Sequence, residues 1–244
     1  LPILIYFLLT LELGFSGYPK LQKSLQELIK NKLTTVQRLE LSSDYITEGH
    51  ALKGVLKADM ENIRSTMEKI DYNTFEDVVN NIFAAKRIYI IGLRSSMALA
   101  EFLGFYLNII LQNVKTVGYG ISDIFEQMIN VGEGDLVIGI GFPRYASRTI
   151  DALAFAQDRG ATVVAVTDSF LSPLAARADY SLIAQSNMAS FVDSLVAPLS
   201  VINALIIAVG MREKENISST FNSLEEIWRE YNVYSYNNRN VGDD

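Results

Sequence analysis

Apolar residues along this chain change their period several times, and each change marks an element. Between residues 18 and 32, Leu21, Leu25, Leu28 and Ile29 recur at helical spacing while Lys20, Lys23, Lys30 and Lys32 take the other faces, which predicts a short amphipathic helix. A polar passage over 34–49 follows. Leu52, Leu56, Ile63, Met67 and Ile70 then predict a second helix, whose apolar stripe needs a partner in the main domain or in another subunit. From residue 73 the pattern is regular. Thr74 is placed to N-cap a helix with Phe75, Val78, Val79 and Ile82 on its core face. The apolar runs 87–91, 116–119, 136–140, 162–166 and 180–183 read as strands, separated by helices over 95–112, 122–130 and 147–159, the last closed by Gly160. Strands alternating with helices predict an α/β fold, a three-layer α-β-α sandwich on a five-stranded parallel sheet, preceded by a helical remnant and a linker helix. A long apolar helix from about residue 190, a last helix over 214–231 with Trp228, and a polar, frayed tail over 233–244 complete the expectation.

Composition narrows the chemistry. The 244 residues are 49% hydrophobic, enough for one main domain and a smaller appendage. A formal charge of −7 argues against nucleic-acid affinity over the whole surface, while a locally basic module stays compatible with it. The absence of cysteine excludes disulfides and thiolate chemistry, and the single histidine, His50, limits metal sites, so neither metal nor cofactor is expected. The apolar stretch over 191–209 is long enough to span a bilayer, but Asp193, Pro198 and Asn203 interrupt it, so it reads as a buried helix and no membrane contact is expected. With no basic n-region or cleavage site in view, the reading is cytoplasmic.

Two strand-to-helix loops carry the candidate chemistry, Gly92-Leu93-Arg94-Ser95-Ser96 and Gly141-Phe142-Pro143-Arg144-Tyr145-Ala146-Ser147-Arg148-Thr149. Both would open at the carboxyl edge of the sheet, where helix N-termini, hydroxyl donors and positive charge together suit a phosphate or carboxylate. Arg144 and Arg148 could add charge-assisted contacts, since a guanidinium matches either anion. Gly92 is followed by Leu93 and Arg94, so the dinucleotide fingerprint is incomplete and a nicotinamide or Walker-type site is not expected. Asp168 at the same edge and Asp179 read as structural, and His50 lies in the linker. Glu101, Glu126 and Asp193 are the carboxylates that an isomerase would have to recruit as a base, and none falls in a catalytic pattern.

These loops, with Ser172-Pro173-Leu174-Ala175 through Ala178-Asp179, resemble in combination the sugar isomerase (SIS) domain of RpiR/MurR-type bacterial transcriptional regulators, over about residues 75–231. The resemblance implies an effector receptor for phosphosugars. Ser95 and Ser96 match its first phosphate-binding loop, and Ser147 and Thr149 match the end of its second. Most SIS domains have Ser-x-Ser-Gly-x-Thr there, whereas this chain has Pro143, Arg144 and Tyr145 at the start. Upstream, residues 13–21 are similar to the end of the family's helix-turn-helix domain, while residues 1–11 hold no Lys or Arg, so the chain is expected to begin partway through that domain. The division implied is a helix-turn-helix remnant over 1–33, a linker and helix over 34–72, an SIS effector domain over 73–232 and a tail over 233–244.

The expected function is transcriptional regulation of carbohydrate metabolism, with a phosphosugar or sugar-acid effector at Ser95, Ser96, Arg144, Ser147, Arg148 and Thr149 and no catalytic residue. The expected partners are that small molecule, operator DNA through the N-terminal domain of the intact protein, and further copies of the chain in a homodimer or homotetramer. The alternative is a phosphosugar aldose-ketose isomerase.

Overall fold

Five short apolar runs pair, all in parallel, in the order β2-β1-β3-β4-β5: β1 (Ile88–Ile91), β2 (Val114–Val117), β3 (Leu136–Ile140), β4 (Thr162–Thr167) and β5 (Tyr180–Ile183). This computed structural model describes residue 17 and residues 33–42, 50–188 and 190–235; the helix expected over 18–32, the helix-turn-helix remnant and the tail beyond 235 lie outside the described residues. The sheet is buried on both sides, as parallel sheets require. Ile88, Ile90, Leu136, Ile138, Ile140, Val164 and Val166 face one helical layer, built from α3 (Tyr72–Ala84), α4 (Met97–Leu111) and α7 (Val196–Arg212). Tyr89, Ile91, Val137, Val163 and Ala165 face the other, where α5 (Ile124–Gln127) and α6 (Ser147–Gln157) pack. Side chains of successive strand residues point to opposite faces, so β1 to β4 feed both cores, while the edge strand β5 gives Tyr180 and Leu182 to the first. The fold is therefore the three-layer α/β sandwich read from the sequence.

Four element boundaries differ from the reading. Asp71, rather than Thr74, caps α3: its carboxylate accepts from the Asn73 and Thr74 N–H groups, at 3.3 and 3.1 Å, and from the Thr74 hydroxyl at 2.6 Å. A charged acceptor at the positive helix end outcompetes a hydroxyl. The edge strand β2 starts at Val114 because α4 ends in a left-handed residue, Gln112 at φ 61°, and Val114 pairs in register with Ile88. The helix expected over 122–130 shrinks to α5, held by a capping box between Asp123 and Glu126. The long helix expected from residue 190 begins only at Val196, which leaves Phe191 and Asp193 in a loop.

Two helices precede the sandwich, α1 (Thr35–Ser42) and α2 (Ala51–Lys69); α8 (Lys214–Glu230) closes it. The apolar stripe of α2 faces outward: Leu52, Leu56, Ile63 and Met67 are exposed. Its buried face is polar and pins the loop before α7. Asn62 donates to the Asn187 carbonyl and accepts from the Asn187 N–H, Thr66 accepts from the Gln185 N–H, and Asp59 accepts from the Ser194 hydroxyl. No single helix among the described residues is long and apolar enough to cross a membrane.

Gly139 sets the seat of α6. A Cβ there would meet the Leu153 side chain at 2.6 Å, and Leu153 is fully buried. Gly139→Val should therefore lower unfolding stability by about 1–3 kcal/mol through overpacking, read by urea denaturation.

Candidate functional site

The carboxyl ends of β1 and β3 open into one cavity of about 390 Å³. Two glycines let the chain turn there. A Cβ on Gly92 would stand 2.7 Å from the Ser96 carbonyl oxygen, and one on Gly141 would stand 2.7 Å from the Leu174 side chain. After β1 the chain makes a single 3-10 turn, Arg94–Ser96, with Arg94 left-handed at φ 59°, before α4 begins. After β3 it passes Pro143 and a left-handed Arg144, φ 65°, before α6 begins at Ser147. All six residues singled out in the sequence, Ser95, Ser96, Arg144, Ser147, Arg148 and Thr149, line this cavity.

Their partners differ. Ser96 stands at the N-cap position of α4 without a side-chain hydrogen bond to it. Ala146 precedes α6 without a side-chain cap either, and the first N–H groups of a helix have no intrahelical acceptor. Thr149, 1% exposed, holds a hydroxyl with no hydrogen-bond partner. A buried hydroxyl left without a partner costs about 1–3 kcal/mol, which an incoming acceptor would relieve. Arg148 pairs with Asp123 and lies over the Phe125 ring, and Arg144 donates to the Thr35 hydroxyl of α1.

Several lining residues escaped the sequence reading. Arg38 comes from α1, far from the loops in sequence, and its Nη1 donates to Asp193 Oδ1 at 2.9 Å. Tyr119 and Phe191 add aromatic surface. No local signal could have found Arg38, because only the packing of α1 brings it here. Asp193 was weighed as a base on a long helix; it stands instead in the loop before α7, paired with Arg38. The lining side chains include four arginines, Arg38, Arg94, Arg144 and Arg148, against one carboxylate, Asp193, in a chain of net charge −7. Such a local excess of guanidinium favours an anion.

The other weighed residues serve structure. Asp168 accepts from the Tyr145 hydroxyl at 2.8 Å, which anchors the second loop to the end of β4. Asp179 accepts from the Val163 N–H at 2.8 Å. Glu126 closes the capping box of α5; His50 and Glu101 are not among the lining residues. Burial pushes the Asp168 carboxyl above its ordinary value, against the opposing hydrogen bond from Tyr145, and pushes the Tyr145 phenol up as well. Burial also raises Asp193, although Arg38 opposes it.

Because Asp168 holds its proton more tightly folded than unfolded, its contribution to stability is full below the ordinary carboxylate value and is lost as pH rises through the raised one. Asp168→Asn keeps an acceptor for Tyr145 without the buried charge. The variant should be the more stable protein at neutral pH, with the difference shrinking on acidification, in urea melts across this range.

Comparison with known proteins identifies the fold. The SIS domain family matches residues 81–208, more than half of the chain. An uncharacterised HTH-type transcriptional regulator of Haemophilus influenzae is 28% identical over 216 residues, 85% of this chain and 73% of that protein. The sugar isomerase domain of an RpiR transcription factor from Sphaerobacter thermophilus superposes with a TM-score of 0.69 at 30% identity, over 72% of this chain and 99% of that one. The Vibrio vulnificus NanR protein, solved in complex with ManNAc-6P, shares the fold at a TM-score of 0.64 and 18% identity, over 93% of this chain and 80% of that one. The chain belongs to the SIS domain family, and its domain is of the kind carried by RpiR transcription factors.

Proposed function

We propose that the cavity binds a phosphosugar or a related sugar acid, and that the protein regulates transcription of carbohydrate metabolism in response. The observation that carries this reading is the unpartnered, buried Thr149 hydroxyl at the start of α6, in a cavity lined by arginines. A helix N-terminus with free N–H groups, a hydroxyl in need of an acceptor and guanidinium forks is the donor set that a phosphoryl group takes. The volume of about 390 Å³ is at the small-molecule end of ligand pockets, the size that a monosaccharide phosphate requires. NanR, which shares the fold, was solved with ManNAc-6P.

The regulatory half of the proposal rests on the relatives. The Haemophilus influenzae protein is named an HTH-type transcriptional regulator, and the Sphaerobacter thermophilus domain comes from a transcription factor. In the intact protein a helix-turn-helix domain ahead of α1 would contact cytoplasmic operator DNA, and a two-fold assembly would space two such domains along it. The exposed stripe of α2 is suited to that assembly. The regulator relatives weigh against an isomerase, and Asp193, the carboxylate among the described lining residues, is held by Arg38. A sensor is therefore preferred over an isomerase.

Isothermal titration with ManNAc-6P, glucose 6-phosphate and inorganic phosphate tests the site. Ser95→Ala and Ser147→Ala should each weaken binding by about ten- to a hundredfold, the loss of one charged hydrogen bond; unchanged affinity in both variants overturns the assignment. Incubation with the same phosphosugars should yield no isomerised product, and turnover above background would overturn the sensor reading.

A further inference from the structure

Helix α1 docks on the domain in an inverted sense. Val36 and Leu39 are 65% and 54% exposed, while Arg38 on the same helix is 2% exposed. Val36 and Leu39 therefore add little burial to the seat of α1, while polar contacts tie the helix to the cavity wall: Arg38 to Asp193, and Arg144 to Thr35. The buried guanidinium is incompletely satisfied. Its Nη1 has Asp193 at 2.9 Å, but its Nε is buried with no partner. A desolvated cation with an open donor is costly unless an acceptor arrives. Two buried polar side chains of the cavity lining, Arg38 from α1 and Thr149 from α6, thus each carry an atom without a partner.

We propose that Arg38 is an effector-binding residue, which donates to an anionic oxygen of the phosphosugar and so makes α1, the helix leading to the DNA-binding segment, one wall of the occupied site. Asp193 holds the guanidinium when the cavity is empty and competes with the ligand for it. Ligand occupancy then tightens the seat of α1, to which Arg38 and Thr35 already contribute polar contacts at the cavity wall. Arg38 lies outside the residues matched by the SIS family, 81–208, so the site extends beyond the domain itself. This inference rests on the phosphosugar reading of the cavity.

Opposite effects of the two partners of one ion pair provide the test, in titrations of the full chain with the three ligands named above. Arg38→Gln should weaken binding by about tenfold or more, and Asp193→Asn should strengthen binding of inorganic phosphate, because it removes the competitor and a like charge. If the pair were only a clasp, both variants would weaken binding alike, and that result overturns the proposal. A second readout uses the absence of native cysteine: Val36→Cys gives a single labelling site on the exposed face of α1. A nitroxide there should lose mobility when phosphosugar binds, and Arg38→Gln should abolish that change; an unchanged response overturns the proposal. If Ser95→Ala and Ser147→Ala weaken binding while Arg38→Gln does not, the Arg38 assignment fails alone. If no ligand binds the intact chain, both readings fail.

Discussion

Parallel strands all point the same way, so every strand of this sheet ends at the same edge and every crossover must start from it. That single constraint places the loop after β1 beside the loop after β3, because β1 and β3 are neighbours in the sheet although the chain visits β2 between them. The two loops then deliver the amino ends of α4 and α6 to one cavity. The two buried cores hold this arrangement, one on each face of the sheet, and Gly92, Gly139 and Gly141 allow the close approaches that a side chain would prevent.

Electrostatics gives the cavity its character. The protein is acidic overall, yet the described lining gathers four guanidinium groups, of which Arg38 is paired with Asp193 and Arg148 with Asp123. Arginine suits this role because its delocalised charge is less strongly hydrated than an ammonium and its fork matches a phosphoryl group. The carboxylates that surround the loops are engaged: Asp123 with the lining Arg148 and the α5 cap, Asp168 with Tyr145. Their work is to hold loop geometry, and the cavity keeps its positive balance.

The segments before the sandwich bear on the same site from outside it. The polar face of α2 fixes the loop after β5, that loop carries Asp193, and Asp193 meets Arg38 of α1. Hydrogen bonds thus tie both α1 and α2 to the loop after β5 that lines the cavity.

The sequence by itself determined the layers, the parallel sheet and the two strand-to-helix loops that line the cavity, since these depend on local period and on short contiguous motifs such as Gly92 to Ser96. Strand and helix order then fixed the edge at which the loops meet. Local competition between signals moved boundaries: Asp71 displaced Thr74 as a cap, and polar bonds from α2 held back the start of α7. Only the tertiary structure decided that Arg38 enters the cavity, that Asp193 opposes it, and that the apolar stripe of α2 faces outward while its polar side packs. Arg38 and Asp193 are 155 residues apart, and no periodicity within either segment encodes a contact at that separation; it exists only because the folded sheet brings both segments to one edge.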